Sequence, residues 1–576
     1  MFFPSLIFSA ETLKKYVTSE SQTSYHIILR LRSGNPLTQT SLDAFSIKYK
    51  LPIALKLIKP MAANFNLVEM DPIQLSTILL KTHQTKLDLF NNLLTALNSP
   101  NLKNIVLCAG NDGFQSYEKP TVSFRSLLNF LNYHSQQWDE FLPPGGVELE
   151  SAPGLKDLAW QLTQGSPTVV VAVIDTGVSS NADLNNNLVQ GWNFATPSQG
   201  NNVSDLTSGC INDGVCHGTH VAGTVAAIGN DGTNPLSPAG MGPQLKILPE
   251  NVFPASGLAS DSDIINAMYW AIGRNTPGVI PAVNPNVASV LNLSLGSSTP
   301  ATCDSPMQVA MSEIKNSALI VVAAGNSNAP ASEYTLTNCG NVFSVAATDF
   351  DGLRATYSNY GSAVNIAAPG GQDNYSPNGI LSTTANNAYL YISGTSMAAP
   401  HVAGIAGLIY SYASNLQISL TPDQVKELLI TTINPFGISS NPDINCNPTG
   451  IKSCGVGIVN AFASLKALSS STGTIFIPPA NTNLNLQNHA GAVICKNNFV
   501  IPALKTGTKI PVQSNNYTAY WQIQSADCED SSVFTNPVII AGTPIKMKYG
   551  NNNIFDFIPP AGLMCQVILN TSVVCH

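Results

Sequence analysis

Uninterrupted apolar runs alternate with amphipathic stretches between about residues 138 and 468. The runs are TVVVAVIDTG, QLKILPENVF, VASVLNLSLG and ALIVVAAGN, and helix-like stretches such as HGTHVAGTVAAIG and DSDIINAMYWAIG lie between them. A short apolar run without polar alternation is typical of a strand that is buried on both faces. The pattern therefore predicts a parallel sheet flanked by helices, an α/β fold.

Different patterns flank this central region, which we place at residues 133–468. Residues 11–132 combine a strand-like YHIILRLR, a helix-like PIQLSTILLKTH and an apolar NIVLCAG, so we expect a small α+β domain. Residues 469–576 begin with a Ser/Thr cluster and continue in short apolar runs without helical spacing, which predicts a small β-rich domain. A chain of 576 residues exceeds what one hydrophobic core usually organises, in agreement with several domains.

The charge and the apolar segments of the chain argue against a nucleic-acid partner and against a membrane-spanning helix. Only 10% of the residues are charged and the formal net charge is -8, so we expect no nucleic-acid partner. Residues 1–10, MFFPSLIFSA, are apolar and end in a small pair, as in a shortened export signal that lacks its basic residues. Outside them no apolar run is long enough for a membrane-spanning helix.

The cysteine spacing bears on the compartment. Cys108 stands alone, and the other ten fall as Cys210/Cys216, Cys303/Cys339, Cys446/Cys454 and Cys495, Cys528, Cys565, Cys575. Their even number, with no CxxC pair and no Cys/His cluster, favours disulfides in an exported protein over zinc ligands. Free thiols in a cytosolic enzyme are the alternative. An unpaired Cys108 fits a segment that is removed from the mature protein.

Four motifs place reactive side chains at strand ends or helix starts. Asp175 ends a buried run in VIDTG, HGTHVAG contains His217 and His220, AAGN ends in Asn326, and GTSMAAPHVAG contains Ser396. A serine becomes a nucleophile when a base, a group that orients the base and oxyanion donors surround it. Taken singly, each residue also fits a helix cap, a turn or a buried structural histidine. Spacing alone does not choose between the two histidines.

Taken together and in this order, the four motifs resemble the subtilisin-like serine protease (subtilase) family over residues 135–468. The resemblance implies that Asp175 orients and stabilises His217, which acts as general base and then as general acid. Ser396 would attack the substrate carbonyl, and Asn326 would donate to the oxyanion together with the Ser396 backbone N–H. His220 and His401 are left as structural residues.

The resemblance also suggests substrate and metal contacts. Ser294, Leu295 and Gly296 match the strand that pairs with an extended peptide, and a pocket floor near Glu333 and Tyr334 would favour bulky apolar or aromatic side chains. The chemistry needs no cofactor. A structural calcium is expected at Asp183, with Asn230 and Asp231 as weaker candidates, because hard oxygen ligands suit this ion.

The flanking domains and the cysteines gain roles through the same family. The N-terminal domain would be a pro-domain that assists folding and inhibits the enzyme until it is cleaved between Gly113 and Gln137. A disulfide of Cys210 with Cys216 beside the base is similar to the exported bacterial branch, whereas Glu250 departs from the family pattern. We also expect Pro400 near the first turn of its helix, where its missing N–H costs no hydrogen bond.

These observations predict a secreted, monomeric serine endopeptidase made as a zymogen, with proteins and peptides as substrates. Two alternatives remain open at this point. One is a catalytically silent member of the fold that acts in binding or adhesion through its β-rich tail. The other is a different acyl-transfer enzyme on the same triad, such as a peptide ligase or an esterase.

Overall fold

The computed structural model describes residues 26–32, 37–72, 86–103, 105–117, 137–150, 157–229, 237–372, 377–446 and 452–469, isolated positions at 74, 75, 78 and 374, and the backbone of short strands beyond residue 508. The expectations for residues 1–10, for Asn230 and for Asp231 fall outside these residues, as does most of PIQLSTILLKTH.

An antiparallel sheet with helices on one face forms the N-terminal region. Its elements are β1 (His26–Leu31), α1 (Gln39–Lys48), β2 (Leu55–Pro60), β3 (Asn66–Met70), α2 (Lys86–Leu97), β4 (Val106–Asn111) and β5 (Phe114–Tyr117). The first four strands pair in the order β2-β3-β1-β4. Apolar residues of α1 and α2, such as Phe45 and Phe90, pack on one sheet face and form a core of their own.

The central region contains the predicted strands and helices together with shorter elements that the sequence analysis did not single out. They are α3 (Ala159–Leu162), β6 (Val170–Asp175), α4 (Ala182–Asn185), β7 (Trp192–Asn193), α5 (Ser208–Asp213), α6 (His217–Ala226), β8 (Lys246–Asn251), β9 (Ala259–Ser260), α7 (Asp261–Ala271), β10 (Val290–Leu293), β11 (Leu295–Gly296), α8 (Ser305–Ile314), β12 (Leu319–Ala323), β13 (Phe343–Thr348), β14 (Ile366–Pro369), β15 (Ile380–Thr384), β16 (Ala388–Ile392), α9 (Thr395–Asn415), α10 (Pro422–Thr431) and α11 (Ala461–Ser469).

A seven-stranded parallel sheet in the order β14-β13-β12-β10-β6-β8-β7 organises these elements. The predicted α/β fold is therefore confirmed. From β6 the chain passes to β7 at one edge and returns to β8 beside β6, whereas from β10 it progresses outwards to β14, so the strand order changes direction between β6 and β10. In such sheets the ligand crevice lies beyond the carboxyl ends of the strands at the reversal.

Alternate residues of each strand supply two cores, one on each face of the sheet. Val171 and Val173 of β6 belong to the core that packs against α6 and α9. Ala172 and Ile174 belong to the core that packs against α7 and α8. The second core also includes Cys108 of β4, so the N-terminal sheet packs its free face on these helices. This burial on both faces is why the runs carry no polar alternation.

Three of the cysteine groups form disulfides, Cys210–Cys216, Cys303–Cys339 and Cys446–Cys454, as the spacing predicts. Cys108 is a buried free thiol, in agreement with its odd position in the sequence. The side chains of the four C-terminal cysteines fall outside the described residues.

Short strands make up the described backbone beyond residue 508. They are β17 (Lys509–Ser514), β18 (Tyr517–Gln522), β19 (Val538–Ile539), β20 (Ile545–Tyr549), β21 (Asn553–Phe557), β22 (Cys565–Ile568) and β23 (Ser572–Cys575). The boundaries and roles of the two flanking domains stay predictions. Among helices in the described ranges, none combines the length and hydrophobicity needed to cross a bilayer.

A buried carboxyl in the second core departs from the otherwise apolar sheet. Glu250 on β8 is level with Ile174 of β6 on one side and with Trp192 of β7 on the other. It is 0% exposed, and within the described part of the chain neither of its carboxyl oxygens has a hydrogen-bond partner. This burial raises the pKa of Glu250 well above its usual value, because the charged carboxylate would have to leave water.

We expect Glu250→Leu to stabilise the protein, by roughly 1–3 kcal/mol, because it removes a buried polar group that has no partner. The gain should grow with pH. The native pKa is raised above the unfolded value, so the stability that the protonated group retains at acid pH is lost as pH rises towards the native pKa. Thermal unfolding at pH 5 and pH 9 measures the effect, and Glu333→Leu, at an exposed site, is the matched control. An equal change at both pH values would contradict the expectation.

Candidate active site

Two neighbouring strands end where the strand order of the parallel sheet reverses. β6 ends with Asp175, and Ser294 directly follows β10. The parallel register pairs Val173 with Asn292, so Asp175 and Ser294 lie level with each other on adjacent strands. Adjacent strands are about 4.8 Å apart. These two residues therefore share the edge of the sheet where a ligand is expected.

A buried hydrogen bond joins the end of β6 to the start of α6. Asp175 Oδ1 lies 2.7 Å from Nδ1 of His217, and both side chains are fully buried. The same carboxylate oxygen accepts the backbone N–H of Thr176 at 2.7 Å. A carboxylate that accepts at Nδ1 holds the imidazole in one orientation and one tautomer, with the proton on Nδ1.

The second histidine of HGTHVAG has a different environment. His220 Nε2 donates to the carbonyl oxygens of Ile380 at 3.1 Å and Leu390 at 2.9 Å. Burial lowers the pKa of His220 to about 3, so this imidazole is neutral. The structure thus brings His217, and not His220, to Asp175, a choice that the spacing left open.

Ser396 lies at the second position of α9 and contacts the end of β10. Its Oγ donates to the carbonyl oxygen of Ser294 at 3.2 Å. In return the Ser294 hydroxyl donates to the backbone carbonyl of Ser396 at 2.8 Å. Since Ser294 is level with Asp175, these bonds place Ser396 beside the strand end that carries the Asp175–His217 pair.

The expectation for Pro400 is wrong. α9 begins at Thr395, so Pro400 is the sixth residue of the helix and lies inside it. An N–H at this position would have bonded to the carbonyl of Ser396, four residues earlier. Because proline has no N–H, that carbonyl is left available, and Ser294 Oγ donates to it. The missing N–H of Pro400 thus leaves the Ser396 carbonyl to the Ser294 hydroxyl, and this hydrogen bond links the start of α9 to the sheet.

Asn326 is held by a residue that the sequence analysis did not single out. Its Oδ1 accepts both the backbone N–H of Thr395 at 2.8 Å and the Thr395 hydroxyl at 2.9 Å. Thr395 Oγ1 in turn accepts the N–H of Gly325 at 3.0 Å. With Oδ1 fixed in this way, the amide nitrogen lies 3.3 Å from the place of a β-carbon on Gly394. Its N–H groups are donors at the start of α9, beside Ser396. The signal was present, since Thr395 directly precedes Ser396 in GTSMAAPHVAG.

The chain segment after Ser294 continues along the crevice as β11. Leu295 and Gly296 pair with β5 of the N-terminal region, with Leu295 opposite Tyr117 and Gly296 opposite Ser116. On its other edge β5 pairs with β9. The predicted substrate strand thus contacts an extended peptide in the structure, and this peptide belongs to the same chain.

The proposed pocket floor and the calcium site are less well defined. Glu333 is exposed and Tyr334 is buried. The carbonyl oxygen of Thr335 lies 3.3 Å from the place of a β-carbon on Gly296. Asp183 is buried and accepts a hydrogen bond from the Tyr389 hydroxyl. Among the described residues, no group of three acidic, histidine or cysteine side chains within ligand distance of one another includes Asp183. Calcium there stays a prediction.

Comparison with known proteins agrees with this arrangement. The Subtilase family model matches residues 166–461, about half of the chain. An extracellular protease of Xanthomonas campestris pv. campestris is 36% identical over 397 residues, with 66% of this chain and 63% of the relative covered. An extracellular basic protease of Dichelobacter nodosus is 36% identical over 351 residues, with 56% and 54% covered. The chain therefore spans about half to two thirds of these curated relatives.

Among solved structures, a protease of Pseudoalteromonas arctica PAMC 21717 aligns with a TM-score of 0.49 and 35% identity, over 58% of this chain and 97% of that chain. The family match extends from the start of the β6 run to the start of α11 and includes Asp175, His217, Asn326 and Ser396. The chain belongs to the Subtilase family.

Proposed function

We propose that this chain is a subtilisin-type serine endopeptidase in which Asp175, His217, Ser396 and Asn326 carry the reaction. The observation that supports this most directly is the buried Asp175–His217 hydrogen bond at the same strand edge as Ser294, whose carbonyl contacts the Ser396 hydroxyl. Relatives named as extracellular proteases support the same reading.

Each residue has one role in this mechanism. His217, oriented by Asp175, takes the proton of Ser396 as the hydroxyl oxygen attacks the substrate carbonyl, and then gives that proton to the leaving amine. Asp175 stabilises the imidazolium that forms. The Asn326 amide and the Ser396 backbone N–H donate to the oxyanion of the tetrahedral intermediate. Water then hydrolyses the acyl-enzyme by the same steps in reverse order. No residue here requires a cofactor.

The substrate backbone would pair with Leu295–Gly296 in the way β5 does. Antiparallel pairing through backbone N–H and C=O groups binds an extended peptide with little dependence on its sequence. Selectivity would then come from the pocket beside Gly296, for which we retain the predicted preference for bulky apolar or aromatic side chains before the cleaved bond.

We further propose that the N-terminal domain, residues 11–132, inhibits the enzyme until it is removed. The pairing of β5 with both β11 and β9 supports this role, because a substrate strand is proposed to pair with β11 in the same way. Cleavage between Gly113 and Gln137, on the C-terminal side of the domain, would release β5. The disulfides and the extracellular relatives support export of the protein, and we propose a secreted monomer.

Three aspartates lie where the N-terminal domain packs against the N-termini of α7 and α8. Asp112 accepts hydrogen bonds from the backbone N–H and the hydroxyl of Ser262, at 2.8 and 3.0 Å, at the start of α7. Asp261, at the first residue of α7, accepts from Gln115 at 2.9 Å. Asp304 caps α8. Burial, reinforced by neighbouring carboxylates, raises the pKa of Asp112, Asp261 and Asp304 to about 7.

Replacing the nucleophile should abolish proteolysis. We expect Ser396→Ala to lower kcat on casein or a chromogenic peptide by roughly 10⁵- to 10⁶-fold, since no acyl-enzyme can form. Ser414→Ala, at an exposed position of the same helix, should leave activity unchanged. A serine-directed phosphonate should inactivate the wild type only. An active Ser396→Ala protein would refute the proposed site.

Loss of the Thr395 hydroxyl should affect the chemical step. We expect Thr395→Val to lower kcat roughly 10- to 100-fold, because Asn326 loses a bond that orients its amide. KM should change little, since the oxyanion forms only during the reaction. Thr395→Ser keeps the hydroxyl and should retain most activity, whereas Asn326→Ala sets the maximum loss. Steady-state kinetics decide, and a rise in KM with unchanged kcat would contradict the role.

The N-terminal domain should dissociate from the catalytic domain faster at higher pH, so that activity appears sooner. The raised pKa values of Asp112, Asp261 and Asp304 belong to the packed interface, whereas exposed aspartates ionise near pH 4. Association of the N-terminal domain with the catalytic domain is therefore strongest at acid pH. It weakens as pH rises from about 4 to about 7, by up to about tenfold per pH unit for each carboxyl. Full-length protein held at pH 5 or pH 8 and then assayed at one common pH measures this release.

The Asp112→Asn variant tests this expectation. Removing one ionisable group from the interface should reduce the difference in release rate between pH 5 and pH 8. Asp43→Asn, at an exposed position of the same domain, should keep the wild-type difference. Identical pH dependence in all three proteins would show that these carboxyls do not control release.

A further inference from the structure

A buried carboxylate outside the four motifs is hydrogen-bonded to Thr176, which follows Asp175 and in turn contacts the start of α6. Asp205 lies in an irregular segment before α5 and is 3% exposed. Its Oδ1 accepts the N–H of Thr207 at 2.9 Å and the Thr207 hydroxyl at 2.7 Å. Its own N–H donates to Ser179 Oγ at 3.2 Å. These bonds fix the direction in which the second carboxylate oxygen points.

The second oxygen determines the direction of the Thr176 hydroxyl. Thr176 Oγ1 lies 2.5 Å from Asp205 Oδ2 and 2.9 Å from the backbone nitrogen of Gly218. An ionised carboxylate can only accept, so the single hydroxyl proton of Thr176 goes to Asp205. The lone pairs of Thr176 Oγ1 are then left to accept the N–H of Gly218. Thr176 directly follows Asp175, and Gly218 directly follows His217.

The contact between Thr176 and Gly218 sets how α6 meets β6. A β-carbon on Gly218 would lie 2.3 Å from the carbonyl oxygen of Gly177 and 3.1 Å from Asp175, so the two segments are as close as backbones allow. The Asp205 carboxylate also lies within 4.8 Å of the sulfurs of Cys210 and Cys216, which form the disulfide next to His217. The loop that carries Asp205 is thereby closed onto the start of α6.

We infer that Asp205 is a positioning residue for the catalytic pair, acting through the Thr176 hydroxyl to hold His217 in register with Asp175. The inference rests on the proposed endopeptidase function. Asp205 contacts none of the reacting atoms. Its effect would be large for its distance, because a displacement of about 1 Å in a catalytic group can cost a factor of about 100 in rate.

The inference has a consequence for pH dependence. Burial raises the pKa of Asp205 to about 6, and the charge of Asp175 on β6 acts in the same direction. Among the described residues, His217 on α6 also lies beside Asp175, to which it is hydrogen-bonded. The nearby Cys210–Cys216 disulfide does not titrate.

Asp205 Oδ1 already accepts two hydrogen bonds from Thr207, so a proton on Asp205 goes to Oδ2. Oδ2 then donates to Thr176 Oγ1 instead of accepting from it. Activity below about pH 6 should then depend on the loss of the Asp205 proton.

The first experiment compares steady-state kinetics of the mature enzyme with Asp205→Asn. This variant keeps the shape of the side chain but removes the charge that directs the Thr176 hydroxyl. We expect kcat to fall about tenfold or more with KM within about twofold of wild type. Below about pH 6, log(kcat/KM) should fall more steeply in wild type than in Asp205→Asn, by about one unit of slope. Asp213→Asn, at the exposed end of α5, is the matched control and should behave as wild type.

A second pair of variants keeps the inference testable if Asp205→Asn folds poorly. Thr176→Val removes the hydroxyl, whereas Thr176→Ser retains it, so only the valine variant should lose kcat. The double variant Asp205→Asn/Thr176→Val should be no slower than the slower single variant, because both act through one contact. Multiplying losses, or a wild-type slope and kcat in Asp205→Asn, would overturn the inference. If the Asp205 inference is contradicted while Ser396→Ala abolishes activity in the same assays, the failure concerns Asp205 alone. If Ser396→Ala stays active, the proposed function itself fails.

Discussion

The reversal of strand order between β6 and β10 is the constraint on which the site depends. It leaves the carboxyl ends of two adjacent parallel strands uncovered at the same edge of the sheet. One strand end carries Asp175 and through it His217, and the other leads into Ser294 and through it Ser396. The sheet between the two cores is apolar on both faces apart from Glu250 and a few other polar side chains. Polar chemistry is therefore concentrated where the strands end.

Short hydroxyl side chains connect these strand ends to the helices that begin beside them. Thr176 joins β6 to α6, Ser294 joins β10 to α9, and Thr395 joins α9 to Asn326. A hydroxyl can donate and accept at once, so each fixes two partners within a buried volume that excludes water. Pro400 adds to this network by what it lacks, because its missing N–H leaves the Ser396 carbonyl available to Ser294.

The predictions from sequence succeeded where burial imposes a pattern. Strands such as Val170–Asp175 and helices such as Asp261–Ala271 follow directly from apolar runs and helical spacing, because a doubly covered sheet needs both. The prediction for Pro400 failed because the helix begins at Thr395, directly after Gly394. The residue spacing in the sequence does not specify this starting point. Asp205 escaped notice because it belongs to no periodic element and no motif, so its partners cannot be read from its neighbours in the chain.

The sequence by itself determined the parallel sheet, the covering helices and the residue types that motif order joins into one site, since apolar periodicity and long motifs are local properties. Tertiary structure decided which histidine meets Asp175, which oxygen of Ser396 meets Ser294, and that β5 lies along the crevice. It also decided that Thr395 and Asp205 orient the groups beside them. The physical reason is that a hydrogen bond depends on distance and direction between groups up to about two hundred residues apart, and only packing of the two cores fixes these quantities.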